Sequence, residues 1–398
     1  MATARPRRAP HVSSPASRPE KKSSPGRVVL VNNFNPFLCD GVSRSGYDLL
    51  RLLIREEWRV GVAYAIVDNH PYRRRVFEYF GQSALSRSAI YSGHRCSVDF
   101  DGILIEAELL DAEASTRQVV GVLTRLLREM DAERAITVDD DLPALIATAI
   151  AGMSGPHLFH SLTCAEALAR SPLACRLLQS RPLVSCSEFL AARVRERLGL
   201  NSEVCYPVMR IGEFAPVSDP RQLPQAVGYY SGGPHKGDEI VIGLARLLPT
   251  VRFVVAGRLF RSSAEGLPNV DALGDVSEMA AFYRRVGLLV VPSLCEEAFS
   301  RVTIEALVNG IPVIANRVGG IPESGGNAAV LVDVNPGSRG IDGVVAEYAR
   351  LITTIFEQRS IWCDLSRKAL EWGNDFKRRQ LLMNRSCLSA VFNAETNR

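Results

Sequence analysis

The chain has 398 residues, more than one typical domain needs, and this length fits two domains of about 150 to 200 residues each. A hydrophobic content of 46% and a charged content of 23% are ordinary for a folded protein and exclude a low-complexity or fibrous chain. The net charge of +4 comes from the first 27 residues, which carry seven Lys/Arg and one acid; the rest is slightly acidic and offers no charge argument for a nucleic-acid-binding module.

The chain begins with a basic segment and a first strand. Residues 1–26 are rich in Pro, Ser, Ala and Arg and lack the apolar segment of a secretory signal, so we predict a disordered tail. Residues 27–34 (RVVLVNNF) are typical of a buried parallel strand. A loop that contains Gly41 follows, and then a helix is predicted from about residue 47 to residue 57.

A second strand is predicted over residues 58–67, and residues 72–80 then join three arginines to aromatic side chains. The favoured interpretation of residues 72–80 is a solvated helix start over a packed aromatic face. A peripheral contact with a membrane surface, or with an anionic acceptor, remains open.

Residues 116–129 predict an amphipathic helix, and residues 135–138 predict a short strand. The run Asp139-Asp140-Asp141 invites a metal-binding interpretation. We reject a metal site because an apolar helix follows at once, and three acids suit the N-terminal end of that helix.

Two more strands are predicted at residues 155–160 and 182–187, with His160 at the end of the first and a capped helix over residues 188–198 after the second. Residues 204–209 form the last segment of the first domain. The proline-rich residues 210–225 predict an interdomain linker.

The second half alternates strands and helices. We predict strands at 226–231 and 251–257, with the Gly-rich loop GGPHKG and a helix over residues 238–248 between them. A loop at 273–276 and a helix at 279–286 follow. Helices at 342–358 and 360–372 and a basic segment close the chain.

The most informative stretch is residues 288–323. It predicts a buried strand, a loop, a helix over about 300–309, a second strand and a tight Gly-Gly turn, which together form a βαβ unit. Ligands bind such units at the carboxyl end of the strand and the N-terminus of the helix, where the N–H groups of Phe299, Ser300 and Arg301 would attract a phosphate.

Glu297 and Glu305 flank these N–H groups. A carboxylate beside an anion site is favourable only where it also accepts hydrogen bonds from the ligand. A nucleotide-sugar meets both demands, because its diphosphate takes the N–H groups and its sugar rings offer hydroxyls. The alternative is that Glu297 caps the helix and Glu305 is a solvated helix residue.

Residues 292–323, PSLCEEAFSRVTIEALVNGIPVIANRVGGIPE, resemble the signature of the family 4 glycosyltransferases, which are retaining enzymes of the GT-B fold. The resemblance implies two doubly wound Rossmann-like domains that face each other across a cleft. It implies that Glu297 holds the donor sugar and Glu305 the ribose, that Lys236 faces the diphosphate, and that His160 faces the sugar and the acceptor.

The chain departs from the family pattern at two places. The family often has a Gly-Gly pair in the first loop, and here only Gly41 matches it, so Gly41 is predicted beside the donor phosphates. The family also has an arginine six residues before the lysine, where this chain has Tyr230. Arg258, just after the next strand, is predicted to supply the missing charge.

The resemblance also sets the expected domains: acceptor binding at 27–209, nucleotide-sugar binding at 226–376, and a segment at 377–398 that crosses back to the first domain. The predicted reaction moves a sugar from a nucleotide-diphosphate sugar to a hydroxyl acceptor, with no metal and no other cofactor. A nucleotide-sugar epimerase and a non-catalytic subunit of the same fold remain alternatives.

Nine scattered cysteines with no C-x-x-C pair argue against a disulfide framework or a zinc site. We therefore expect a reducing, cytoplasmic location. The absence of G-x-G-x-x-G from the first loop argues against a dinucleotide-dependent dehydrogenase.

Overall fold

The structure is a computed structural model. It describes residues 27–31, 41–68, 90–92, 94–100, 102–209, 221, 223–257, 266–274, 276, 279–334 and 340–393. Several predicted features lie outside these residues: the basic tail at 1–26, the arginine-rich run at 72–80, residues 210–220 of the linker, and Arg258.

The first half of the chain forms one sheet. Its strands are β1 (Arg27–Val31), β2 (Arg59–Val67), β3 (Ile90–Ser92), β4 (Arg95–Phe100), β5 (Ile103–Leu110), β6 (Arg134–Val138), β7 (His157–Phe159), β8 (Leu183–Ser185) and β9 (Glu203–Val204). They are ordered β3-β4-β5-β2-β1-β6-β7-β8-β9. Pairing is parallel from β5 to β9, and β4 pairs antiparallel with both β3 and β5.

Helices cover both faces of this sheet: α1 (Gly41–Arg55), α2 (Thr116–Glu129), α3 (Leu142–Ile150), α4 (Leu162–Ala169), α5 (Pro172–Gln179) and α6 (Glu188–Leu198). Successive residues of β1 show the two faces. Val28 and Leu30 belong to the same apolar cluster as Leu50 of α1, whereas Val29 and Val31 pack in the cluster that holds α2. Since both faces are buried, β1 needs the continuous apolar run seen in the sequence.

The edge formed by β3, β4 and β5 was not predicted. Residues of β5 alternate between buried and half-buried along ILIEAELL, because this edge presents one face to solvent. The outward Glu106 and Glu108 pair with Arg95 and Arg125 respectively. The alternation is a strand signal, but charged residues interrupt the apolar run on which the other strand predictions rested.

The second half forms an all-parallel sheet. Its strands are β10 (Ala226–Tyr230), β11 (Arg252–Ala256), β12 (Val270–Gly274), β13 (Leu288–Val291), β14 (Val313–Asn316) and β15 (Ala329–Val332). The order β12-β11-β10-β13-β14-β15 is that of a doubly wound sheet, and its direction reverses between β10 and β13. The predicted loop at 273–276 is wrong in part, because residues 273 and 274 belong to the half-buried edge strand β12.

The helices of this half are α7 (Asp238–Leu247), α8 (Met279–Tyr283), α9 (Arg301–Val308), α10 (Ile321–Gly325), α11 (Gly340–Glu357) and α12 (Arg359–Asn393). The helix predicted at 360–372 and the terminal helix predicted to cross back to the first domain form one continuous helix, α12, which runs for 35 residues. Trp372, Phe376 and Gln380 recur every fourth residue and lie on one side of α12. Through these residues the helix contacts both halves of the chain. Trp372 Nε1 donates to the carbonyl of Ser324 in the second half, whereas Phe376 packs on Tyr206 and Gln380 donates to the carbonyl of Pro207, both in the first half.

Among the residues that the structure covers, no helix combines the length and the apolar character needed to cross a membrane.

Candidate active site

Two loops meet where the strand order of the second sheet reverses, which is the position where doubly wound sheets bind ligands. One loop follows β10 and contains Lys236; the other follows β13 and contains Glu297. Gly237 lets the loops touch, because a Cβ there would lie 2.3 Å from the carbonyl oxygen of Pro292 and its φ is +95°. The Lys-Gly pair of the sequence is therefore a steric requirement of this contact.

The carboxylate of Glu297 is held by two partners. Lys236 Nζ lies 3.1 Å from Glu297 Oε1, and the Ser293 hydroxyl donates a hydrogen bond to the same oxygen. The Glu297 side chain is 10% exposed and that of Lys236 is 32% exposed. The Lys236 ammonium and the oriented Glu297 carboxylate thus lie side by side at the carboxyl edge of the sheet.

The Gly319-Gly320 turn contacts the backbone carbonyl of Glu297. Gly320 N–H donates to the Glu297 carbonyl at 2.7 Å. A Cβ on Gly319, whose φ is +56°, would lie 2.4 Å from that carbonyl oxygen, so a larger residue would push the Glu297 segment away. This contact explains why two glycines follow β14 in the motif.

Ser300 is the N-cap of helix α9, but its side chain does not form the capping hydrogen bond to the backbone of the first turn. The Ser300 hydroxyl instead accepts a hydrogen bond from the hydroxyl of Thr303. Ser300 as a whole is 1% exposed, so its hydroxyl does not contribute to the predicted phosphate contact.

The side chains of Phe299 and Arg301 turn to the first domain. Phe299 stacks on Tyr206 with ring centroids 5.4 Å apart. The Arg301 guanidinium donates to Ser45 Oγ at 2.7 Å, to the Val208 carbonyl at 3.2 Å and to Asp48 Oδ2 at 3.0 Å. The donor contact predicted for the backbone N–H groups of Phe299 and Arg301 stays a prediction, and the two side chains contact the first domain.

Glu305 is buried on α9, with 5% of the residue exposed. Tyr283 OH donates to Oε2 at 3.0 Å, and Arg301 Nε lies 3.7 Å from Oε1. The alternative in which Glu305 is a solvated helix residue is wrong, and Ser300 rather than Glu297 is the N-cap. A carboxylate has about four acceptor positions, so Glu305 retains capacity for a ligand hydroxyl.

His160 follows β7 in the first domain, as predicted. The backbone N–H of His160 donates to Asp139 Oδ1 at 2.7 Å, and the backbone N–H of Ser161 donates to the same oxygen at 3.0 Å. Burial lowers the pKa of the His160 imidazole to about 4, and the positive charge of Arg301 adds to the shift. His160 is therefore neutral near pH 7, and its Nδ1 has no hydrogen-bond partner among the residues that the structure describes.

The three consecutive aspartates have separate roles. Asp141 is the N-cap of α3 and accepts from Ala144 N–H. Asp139 does not serve the helix as predicted: its backbone has a φ of +50°, which directs its carboxylate to the backbone at His160. No group of three His, Cys, Asp or Glu side chains within the described part of the chain is arranged to hold a metal ion.

Three further positions were singled out in the sequence: Gly41, Tyr230 and Arg258. Gly41 is the first residue of α1, and the same helix carries Ser45 and Asp48, the partners of Arg301. Tyr230, in the place of the family arginine, is the half-buried last residue of β10. The role predicted for Arg258 stays a prediction, since that residue lies outside the described ranges.

Sequence reasoning missed Asp48, Ser187 and Glu323, which contact the opposite domain. Ser187 caps α6 and also donates to the Ala298 carbonyl at 2.6 Å. Glu323 accepts hydrogen bonds from the N–H groups of Glu188 and Phe189. Glu323 was visible as the last residue of the motif, but no local pattern indicates a partner 135 residues away.

Residues 238–353 match the family model described as "Glycosyl transferases group 1". This match lies within the second domain. A D-inositol 3-phosphate glycosyltransferase of Mycobacterium sp. (strain KMS) is 36% identical to the chain over 104 residues, which is 22% of this chain and 24% of that protein. A 42.6 kDa protein in the cps region of Klebsiella pneumoniae is 37% identical over 93 residues, 22% of this chain and 25% of that protein. The chain thus aligns with about a quarter of the length of these relatives.

Solved structures extend the likeness beyond the glycosyltransferase domain to the whole fold. HepE of Anabaena in complex with UDP-glucose is 17% identical, has a TM-score of 0.68 and covers 92% of this chain and 100% of that one. Sucrose-phosphate synthase of Thermosynechococcus elongatus is 17% identical, with a TM-score of 0.67 over 93% of this chain and 100% of that one. The predicted GT-B fold, with two Rossmann-like domains, is confirmed.

The buried histidines predict a loss of stability in acid. Burial lowers the pKa of His157, which is 0% exposed and hydrogen-bonded to Thr137, to about 3. The unfolded chain takes up a proton here below about pH 6.5, whereas the folded chain does so only near pH 3, so falling pH favours unfolding across this window. Between about pH 7 and pH 5 the free energy of unfolding of the first domain should fall by roughly 2 kcal/mol on account of His157.

Urea unfolding of the wild type and His157→Asn at the two pH values measures this effect. Asparagine keeps a polar atom near Thr137 but has no titrating group. The wild type should lose roughly 2 kcal/mol more than the variant on acidification. Equal losses in the two proteins would contradict the prediction.

Proposed function

We propose that the chain transfers a sugar, with retention of anomeric configuration, from a nucleotide-diphosphate sugar to a hydroxyl acceptor. The observation that supports this most is the Lys236–Glu297 pair at the switch point of the second sheet. Glu297 lies on a loop whose next residues, Ala298 and Phe299, contact the first domain. A donor bound there would face the opposite domain, from which an acceptor can approach.

The proposed donor spans the two loops of the glycosyltransferase domain. Its diphosphate lies between Lys236 and the first-turn N–H groups of α9, and its sugar lies against Glu297. As the glycosidic bond breaks, negative charge grows on the diphosphate, and a fixed ammonium with oriented N–H groups stabilises that charge. Glu305, deeper in α9, accepts hydrogen bonds from the ribose.

The proposed acceptor site belongs to the first domain, beside His160. An apolar cavity adjoins this residue and is lined by Leu49, Phe159, Val184, Tyr206 and Val208, among others. A neutral imidazole with an unpartnered Nδ1 can accept a hydrogen bond from a hydroxyl without placing a charge against the donor sugar. These features favour an acceptor that has both a hydroxyl group and an apolar part.

A screen of nucleotide sugars tests the proposal. UDP-, ADP- and GDP-sugars are assayed for thermal stabilisation of the protein and for slow hydrolysis, with Lys236→Ala as the inactive control. One donor should raise the unfolding midpoint and turn over, and a hydroxyl acceptor should accelerate its consumption. Release of an epimerised sugar in the absence of acceptor would support the epimerase instead, and turnover of no donor would contradict an active enzyme.

We also expect transfer to proceed without a metal ion. Lys236 and the start of α9 place positive charge and N–H groups at the proposed diphosphate. In other transferases a divalent cation stabilises this negative charge. Turnover of the donor found in the screen should be unchanged by EDTA. A complete loss that Mg²⁺ or Mn²⁺ restores would overturn this mechanism.

A further inference from the structure

The carboxylate of Glu323 in the second domain accepts two hydrogen bonds from backbone N–H groups of the first domain. Oε1 accepts from Glu188 N–H at 2.8 Å and Oε2 accepts from Phe189 N–H at 3.1 Å. Tyr206 of the first domain is also electrostatically coupled to this carboxylate, because burial, and then the negative charge of Glu323, raise the pKa of the Tyr206 hydroxyl. Because both of its oxygens accept hydrogen bonds from the opposite domain, the Glu323 side chain helps to hold the two domains in contact.

This arrangement completes the N-terminus of α6. An α-helix leaves its first N–H groups without partners inside the helix. Ser187, the N-cap, takes the N–H of Leu190, and Glu323 takes the two N–H groups before it. The negative charge of Glu323 also suits the positive end of the helix dipole. Half of the cap of α6 is therefore supplied by the other domain and exists only when the domains are together.

The same contacts converge on the segment that carries Glu297. Glu323 belongs to α10, which begins directly after Gly320, and Gly320 N–H donates to the Glu297 carbonyl at 2.7 Å. On the other side, the Ser187 hydroxyl donates to the carbonyl of Ala298, the residue after Glu297. Arg193 of α6 adds an ion pair to Glu296, the residue before it, at 2.8 Å.

We propose that Glu323 is a positioning residue which couples closure of the two domains to the placement of Glu297. When the domains close, the N-terminus of α6 binds Glu323 and Ala298 together and holds the intervening Gly-Gly turn and Glu297 segment in one arrangement. When they separate, Glu188 and Phe189 lose their acceptor and the Glu297 segment loses its supports from the first domain. The catalytic consequence rests on the proposed transferase function, whereas the contact itself does not.

Hydrogen exchange tests the contact without any need for activity. In Glu323→Ala, the amides of Glu188 and Phe189 should exchange roughly 10-fold faster or more, as expected from the loss of a hydrogen bond to a charged group. Glu323→Gln keeps one acceptor oxygen and should be intermediate. Asp364→Ala is the matched control, because Asp364 is exposed on α12 and pairs with Arg367 in the same helix. Equal exchange of these amides in the wild type and Glu323→Ala would overturn the coupling.

Kinetics test the positioning role. With the donor found in the screen, acceptor-dependent kcat should fall roughly 10- to 100-fold in Glu323→Ala and less in Glu323→Gln, because placement of Glu297 contributes through geometry. The Kd of the matching nucleoside diphosphate, which binds the second domain, should change by less than about twofold. Faster exchange with unchanged kcat would overturn the positioning role. A wild type that is inactive on every donor would refute the proposed transferase, and the exchange experiment would still decide the contact.

Discussion

Glu297→Gln should lower kcat by about 10²- to 10³-fold while the affinity for the nucleoside diphosphate changes by less than about threefold. Glutamine is nearly the same size and can still accept from Ser293, so the local packing is preserved. The charge that pairs with Lys236 at 3.1 Å is lost, together with the carboxylate proposed to hold the donor sugar. Because Glu297 is proposed to contact the sugar rather than the nucleotide, the loss should appear in turnover.

Glu305→Ala is the informative comparison for this result. Glu305 is proposed to bind the ribose, so its loss should weaken the nucleoside diphosphate by about 1 to 3 kcal/mol, the cost of removing hydrogen bonds to a charged acceptor. Calorimetric titration of both variants separates the two roles. If Glu297→Gln weakened the nucleotide and Glu305→Ala spared it, the assignments would have to be exchanged.

Arg301→Met should shift the protein from closed to open domains by about 3 to 5 kcal/mol, a change of roughly 10²- to 10⁴-fold in their ratio. The Arg301 side chain is 11% exposed, and its partner Asp48 is 1% exposed on the opposite domain. Methionine retains the apolar stem but leaves Asp48 buried without the guanidinium. Opening of the cleft would hydrate that carboxylate, so the free energy is relieved by separation of the domains rather than by unfolding of either one.

Small-angle scattering of the ligand-free protein measures this change as an increased radius of gyration. Arg317→Met is the matched control, since Arg317 pairs with Asp333 on the surface, where both side chains are at least half exposed and a pair contributes at most about 1 kcal/mol. Adding Asp48→Asn to Arg301→Met should restore part of the closed form, because removal of both charges costs less than removal of one. An unchanged radius in Arg301→Met would show that this ion pair does not hold the domains together.

Much of the fold was predictable because its signals are local. Strands buried on both faces, such as β1 and β13, require continuous apolar runs, and glycine and proline mark the loops between them. The same locality explains why the loops that carry Lys236 and Glu297 could be predicted at the edge of one sheet. The edge strand β12 was missed because it mixes charged and apolar residues. The strand β5, which lies between β4 and β2, was missed because charged residues interrupt its apolar run.

The two Rossmann-like halves, and Lys236, Glu297 and the glycines between their loops, could be recognised from the sequence, since each depends on a short stretch of chain or on a recognisable motif. The partners of Arg301, Glu323 and Ser187 became visible in the folded structure alone. Asp48 lies 253 residues from Arg301, and Glu188 lies 135 residues from Glu323. Helical and strand periodicity shows which side of an element is buried, but it does not show which element of another domain covers that side. That choice depends on how the two completed domains pack against each other, and no local pattern in the chain encodes it.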